Sequence, residues 1–281
     1  MADESKKTRP REERRMTFFQ HLEELRSRLK IVFVVTMAFF LLFLVFSFIT
    51  VPLAGVDVPV PVPAFIHDND PIANKVFRSL VDYLKPEFVN LTAKAPWDGV
   101  VVQLEVALFL ALVASAPVSA YEFGQFIGPA LREKERKLIL RVAAPVLLLF
   151  LAGVLLALVF ILPFTFNLLY TVQRGLGIST FLLFVDDFVS FVLLFLIAFG
   201  LSFELPVLMY GLSVVGIASA AVWRKYWRFA VAGIFVFGAI ITPDGSGVTM
   251  LVVAFPMVFL YAFGYLAVLR RERRVARAKS S

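Results

Sequence analysis

Val142-Ala143-Ala144-Pro145-Val146-Leu147-Leu148-Leu149-Phe150-Leu151-Ala152-Gly153-Val154-Leu155-Leu156-Ala157-Leu158-Val159-Phe160-Ile161-Leu162-Pro163-Phe164-Thr165-Phe166-Asn167-Leu168-Leu169-Tyr170 carries no charged side chain. A helix needs ~20 apolar residues to cross the hydrocarbon of a bilayer, and this run exceeds that length. Working outward, comparable stretches occur at Ile31–Val51, Val100–Tyr121, Phe188–Val215 and Val248–Leu269, with a shorter one at Phe229–Thr242. The whole chain is 60% hydrophobic and 17% charged. One soluble core of this size cannot bury so much apolar surface, so lipid is the solvent. The expected fold is an all-α polytopic membrane protein of six transmembrane helices, forming a kinked, concave bundle.

The charges set the orientation. Of the 28 Lys and Arg, 23 fall in the N-terminal arm, around Arg132–Arg141, around Arg224–Arg228 and in the tail; 5 fall in the alternate connections. Positive residues stay cytoplasmic, so both termini are expected inside the cell membrane. The same clustering beside apolar runs argues against nucleic acid as a partner, despite a net charge of +7. Three regions follow: a cytoplasmic arm over 1–30 with an amphipathic helix, a six-helix domain over 31–269, and a basic cytoplasmic tail over 270–281. Within the domain, the proline-rich 52–99 connection reads as an ordered external cap around one short amphipathic helix, Ile72–Leu84. About 30 polar residues precede the first apolar run, which makes it a signal anchor and not a cleavable signal.

No enzyme chemistry is visible, and no cofactor is expected. Cysteine is absent, there is no phosphate-binding glycine loop, and His21 and His67 are expected on opposite sides of the membrane. The informative residues are charges within apolar runs, each costing roughly 2.5–3.5 kcal/mol to insert. Glu204 lies near the middle of the fourth run, in Phe203-Glu204-Leu205-Pro206, and reads either as a polar cavity or a proton- or ligand-responsive group, or as a protonated carboxyl hydrogen-bonded to a neighbouring helix. Glu105 is shallower, and a hydrogen bond to a neighbouring helix accounts for it. Asp186 and Asp187 fall where they cap the fourth span. Prolines 117, 145, 163, 206 and 256 are expected to kink the helices that hold them. Near the N-terminus, Glu24 and Arg28 stand four residues apart on a helix and can pair across one turn.

Four segments carry a family resemblance. His21-Leu22-Glu23-Glu24-Leu25-Arg26-Ser27-Arg28-Leu29 resembles the N-terminal signature of TatC, the core receptor of the twin-arginine protein translocase. Ser115–Glu122, continuing through Phe126–Leu131 to Glu135-Arg136-Lys137, resembles its second block. Ala198–Pro206 resembles the third, and Ile241–Asp244 with Ala254-Phe255-Pro256 the last. The blocks occur in the family's order and cover nearly the whole chain. The resemblance implies a Sec-independent translocase subunit that binds the signal peptides of folded proteins. With TatA/TatB-type single-span partners it moves them across the membrane on the proton-motive force, within a complex holding several copies of the receptor. It assigns signal-peptide binding to Glu24, Arg26 and Glu135, and matches Glu204 to an intramembrane glutamate facing the concave side. Two positions depart from the family pattern: Glu105 replaces a basic residue common in the family, and Ala262 replaces a glutamate. The alternatives from the residues alone are a secondary transporter using Glu204 as its ion or substrate site, and a scaffold without cargo.

Overall fold

The computed structural model describes residues 18–53, 56–66, 69–86, 89–127, 133–177, 181–214, 216–242 and 247–280. Helix α1 (Phe18–Val45) leads into a hairpin of β1 (Phe46–Leu53) and β2 (Val56–Pro63), then helix α2 (Ile72–Leu84) and strand β3 (Val89–Thr92). Long helices follow: α3 (Asp98–Ile127), α4 (Glu133–Leu156) and α5 (Leu162–Gly175), the last two joined by a π-turn at Ala157–Ile161. Strand β4 (Phe181–Phe184) precedes α6 (Val185–Phe203), α7 (Leu205–Val214), α8 (Ala220–Ile241) and α9 (Val248–Ser280).

Among the described residues, five helical stretches are long and apolar enough to cross a membrane: Leu22–Val45, Asp98–Glu122, Pro145–Gly175, Val185–Val214 and Val248–Ala278. The expected fifth span sits in α8. Its first turns hold Arg224, Lys225 and Arg228, so its apolar part is short.

The first span differs from expectation. Its helix stops at Val45, and Phe46–Leu53 pairs antiparallel with Val56–Pro63. Period-two placement explains how a strand tolerates Pro59, Pro61 and Pro63. Alternate residues direct their backbone nitrogens to the same edge, so the three missing N–H groups fall on the outer edge of β2. Val58, Val60 and Val62 then face β1 with their donors. The fold is therefore mostly helical, with this hairpin and one parallel pair, β3 with β4, added at one end. The helix Ile72–Leu84 covers the same residues as the expected amphipathic stretch.

The prolines do not all act alike. Helices run through Pro117, Pro145 and Pro256. Ahead of Pro163 the ladder shifts to the π-turn, in which the Leu162 N–H donates to the Ala157 carbonyl. At Pro206 the helix breaks, leaving Glu204 between α6 and α7. Both interruptions relieve the clash of a proline ring with the carbonyl four residues earlier.

Small residues set the packing, as expected where lipid removes the hydrophobic drive between helices. A Cβ on Gly153 of α4 would lie 2.5 Å from the Phe199 carbonyl of α6, and one on Gly200 would lie 2.6 Å from the Phe150 ring. On α9, a Cβ at Gly264 would meet Met209 Sδ at 2.6 Å and Pro206 Cα at 3.1 Å, so the broken segment rests on that glycine. Helix α6 is the centre of the core. Phe188, Phe195 and Phe199 are fully buried on it.

Three polar contacts align α1 antiparallel to α3. Arg28 meets Glu122 at one end, Thr36 Oγ1 donates to Ser115 Oγ at 2.9 Å, and Gln103 Nε2 donates to the Leu44 carbonyl at 3.2 Å at the other. Helices α3 and α6 start together, because Ser190 Oγ donates to Glu105 at 3.1 and 3.2 Å. Arg271 Nη1 donates to the Ser213 carbonyl at 2.8 Å. Glu24 and Arg271 consequently lie at the same end of the array. The tail is no loose appendage, since α9 runs on to Ser280 and Glu272 accepts the Ala220 N–H at 2.9 Å.

Gly153→Val is expected to overpack the α4–α6 contact, at a cost of about 1–3 kcal/mol. Thermal unfolding in detergent should show this as a lowered midpoint. Gly233→Ala, where a Cβ meets nothing within 4 Å, should leave the midpoint unchanged or raise it.

Candidate functional site

Two glutamates of the sequence analysis occupy unusual positions. Glu24 is part of an ionic cluster built from α1 and α3. Arg28, one turn further along α1, donates through Nε at 3.0 Å and Nη2 at 2.6 Å, both to Glu24 Oε1. Its Nη1 donates to Glu122 Oε2 at 3.0 Å, across the two helices. The side chains are 18% (Glu24), 24% (Arg28) and 11% (Glu122) exposed, so water screens these contacts less than it screens an ordinary surface pair. Two carboxylates share one guanidinium, leaving a negative charge over. Glu24 Oε2 is buried and has no hydrogen-bond partner among the described residues. A carboxylate oxygen accepts hydrogen bonds only, so N–H or O–H groups are the partners it can take.

Glu204 is the second. It sits in the break before Pro206, with its N–H donating to the Leu201 carbonyl at 3.1 Å and its own carbonyl accepting from Leu208 at 2.9 Å. Its backbone is thereby satisfied despite the interruption, as the bilayer interior requires. Its side chain is only partly so: the Phe150 backbone of α4 hydrogen-bonds to the carboxyl, while Oε1 is buried with no hydrogen-bond partner among the described residues.

At the opposite end, Lys94 Nζ donates to Asp187 at 2.7 Å and to Asp186 at 3.2 Å, and lies 4.7 Å from the centre of the Phe184 ring. The hydrogen bond to Asp187, reinforced by Asp186, holds the Lys94 ammonium above its ordinary pKa. This contribution is complete at neutral pH and is lost only as pH rises beyond the usual lysine range. Asp186 and Asp187 do occupy the first turn of α6, and they also bind the preceding connection to it. A cleft of about 400 Å³ between α2 and α5 lies at this end, with Lys85, Asn167, Tyr170 and Arg174 in its lining. It contains none of the four residues singled out from the sequence. Among the described residues, no group of three His, Cys, Asp or Glu stands where it could hold a metal.

A family model described as "Sec-independent protein translocase protein (TatC)" matches residues 20–256. The chain belongs to the TatC family. The TatC of Cenarchaeum symbiosum is 40% identical over 259 residues, covering 92% of this chain and 97% of that one. The TatC of Aquifex aeolicus is 31% identical over 216 residues, covering 73% and 87%. A crystal structure described as "Twin Arginine Translocase Receptor- TatC" superposes with a TM-score of 0.71 at 27% identity, covering 88% of this chain and 97% of its own.

Of the three signal-binding candidates in this TatC, two have described side chains, and those two share no contact. Glu24 joins the cluster; Arg26, two residues on, is exposed on α1 and makes no hydrogen bond to it among the described residues. Glu135 lies in the first turn of α4, and its side chain is outside what the structure describes, as are Gly128–Arg132 of the second block. His67, the side chain of His21, and Pro243–Ser246 of the expected turn are outside it too. Sequence reasoning missed Glu122. One signal was available: no other charged residue occurs between Glu105 and Arg132. Glu105 behaves as anticipated, accepting from a neighbouring helix through Ser190.

Glu204→Leu is expected to raise thermal stability in detergent. It removes a buried carboxyl oxygen that lacks a donor among the described residues, a deficit of about 1–3 kcal/mol that outweighs the one backbone contact from Phe150. A fall in the unfolding midpoint would show instead that Glu204 has a stabilising partner.

Proposed function

We propose that this TatC is the signal-peptide receptor subunit of a Sec-independent translocase. It recognises the paired arginines of a signal attached to a folded protein and, with TatA/TatB-type single-span membrane partners, passes the cargo across the cell membrane at the expense of the proton-motive force. The observation that carries this reading is Glu24: a largely covered carboxylate with one oxygen unspent, in the segment that the family model matches. A guanidinium fork suits such a carboxylate better than an ammonium does, because its N–H groups are planar and fixed in direction. Glu135 supplies the second carboxylate, and the exposed Arg26 borders the same site. The receptor acts in several copies, and catalysis of covalent chemistry is no part of its role. The alternative of a secondary transporter centred on Glu204 gains no support from a family named for protein translocation.

The orientation is part of the proposal. The end carrying Glu24, Glu122 and Arg271 faces the cytoplasm, where 23 of the 28 basic residues belong. The sheet-bearing end faces outward, and both termini are inside. Because the chain has no cysteine, single introduced thiols report sidedness cleanly. Ala278→Cys should react with an impermeant maleimide only in inverted vesicles, and Ala93→Cys only in right-side-out cells. The reverse pattern would invert the topology and remove the signal site from the cytoplasm.

Binding of a synthetic signal peptide tests the recognition directly. Glu24→Ala and Glu135→Ala are each expected to weaken it about tenfold, the scale of one charge-assisted hydrogen bond. A signal with two lysines in place of two arginines should bind the unaltered protein more weakly. Equal affinity for the two signals would rule out recognition by carboxylate forks.

A further inference from the structure

We propose that the cleft between α2 and α5 binds an anionic phospholipid, with the phosphate at Lys85 and Arg174 and an acyl chain running inward past Phe166 and Pro163. The charges at this end call for a reason, because basic residues are disfavoured in connections that cross the membrane. Five occur in the outward connections: Lys75, Arg78, Lys85, Lys94 and Arg174. Arg78 pairs with Asp70 at 2.6 Å, Lys94 pairs with Asp186 and Asp187, and Lys75 Nζ donates to Ser47 Oγ at 2.7 Å. The other two, far apart in the chain, line one cleft.

The wall of the cleft supplies more than charge. Its α5 side consists of Pro163, Phe166, Asn167, Tyr170, Thr171 and Arg174, a spacing of three or four residues that puts them on one face of the helix. Polarity rises along that face: a proline and a phenylalanine, then an amide and a phenol, then a hydroxyl and a guanidinium. From Pro163 to Arg174 the helix rises about 16 Å, roughly half of a ~30 Å hydrocarbon core. Helix α5 closes the apolar stretch Pro145–Gly175, so the apolar end of the gradient lies at membrane depth and the basic end where the span leaves the bilayer. Phe160 and Phe164, at the level of the inner end, are exposed, so lipid chains already reach the helix there. The orientation proposed above puts this end in the outer leaflet.

The cleft holds about 400 Å³, within the ~300–1,000 Å³ of small-molecule sites. A phosphodiester offers charged oxygens that only accept hydrogen bonds, and Lys, Arg, Thr, Tyr and Asn side chains can all donate them. Lys85 Nζ donates to the Val89 carbonyl at 2.8 Å. An ammonium has three donors and that acceptor is neutral, so the bond leaves the charge of Lys85 in place. Both cations also stand at the C-terminal ends of their helices, where the helix dipole favours them. The dipole accounts for one cation per helix, but not for the gradient that descends from them. A small water-soluble anion would use the basic end and leave the apolar end unmatched, and a purely apolar molecule would do the reverse. An anionic amphiphile matches both.

The test is native mass spectrometry of the full chain, released from detergent after incubation with phosphatidylglycerol or with phosphatidylcholine, alongside thermal unfolding of each variant. One phosphatidylglycerol should stay bound, and phosphatidylcholine at the same concentration should be retained about tenfold less. Lys85→Gln combined with Arg174→Gln should lower phosphatidylglycerol retention about tenfold, the scale of one lost charge-assisted hydrogen bond. Phosphatidylglycerol should raise the unfolding midpoint of the unaltered chain and leave that of the double Gln variant where it is. Lys85→Arg combined with Arg174→Lys keeps both charges and should bind within about threefold of the unaltered chain. If the charge-keeping pair lost the lipid as fully as the Gln pair, the two residues would be a structural tie between α2 and α5, and the proposal would fall. A large excess of inorganic phosphate should leave the lipid in place; displacement would make this a site for free phosphate and overturn the lipid assignment. Equal retention of the two lipids, or unchanged retention in the double Gln variant, would overturn it too.

Discussion

The approach of α4 to α6 at Gly153 and Gly200 is the contact on which the remaining architecture depends. In lipid, apolar side chains gain little by leaving one apolar surface for another, so helices associate where backbones can come close. Gly153 admits the Phe199 carbonyl, and Gly200 admits the Phe150 ring. That seats α6 as the central helix, with buried phenylalanines along its length. From α6 the order propagates both ways: through Glu105 and Ser190 to α3, and through the Pro206 break to α7 and Gly264 of α9. The break is tolerable because its backbone groups stay satisfied and its flank is filled by α9.

Polar groups are then confined to places where each has a task. One end of the array is fastened by Lys94 between two aspartates, with its pairing intact at neutral pH. The other end is fastened by Arg28 between two glutamates, but incompletely, since one oxygen is left over. The two clusters share a chemistry and differ in what they leave undone. A finished ion pair holds elements together; an unfinished one can do that and still receive a cation. Glu204 is unfinished in another way: the Phe150 backbone reaches its carboxyl, but its buried Oε1 has no partner among the described residues.

Much of this was legible in the residues. Apolar runs mark helices by simple length: α3, the α4–α5 pair and α9 each contain the expected run, and α6–α7 follows its run as far as Val214. The exact ends were less visible. Phe46–Val51 is as apolar as the helix before it, and a short apolar run does not by itself distinguish strand from helix. The alternation of valine and proline from Val56 to Pro63 was the clue, being a period of two. The end of α9 was underestimated because charge was read as a boundary, whereas Arg, Glu, Ala and Lys all favour helix and no Gly or Pro follows Gly264. In the site, Glu24 was found by its motif and by its helical spacing from Arg28. Glu122 was not, because its partner lies on another helix and no local pattern encodes that meeting.

The unbroken course of α9 changes how its terminal charges act. At 1.5 Å per residue, Arg270 and Arg277 stand about 10 Å apart along the helix axis. Physiological salt screens fields over roughly 8 Å, so charges held on a rigid rod do not contribute alike. Where the Arg270 end of such a rod meets anionic headgroups, a charge at position 277 stands beyond that screening distance from them. A flexible tail of the same composition would lie down and bring every charge to the surface. Rigidity here fixes the spacing of the terminal charges, so their reach to a charged surface differs along the helix.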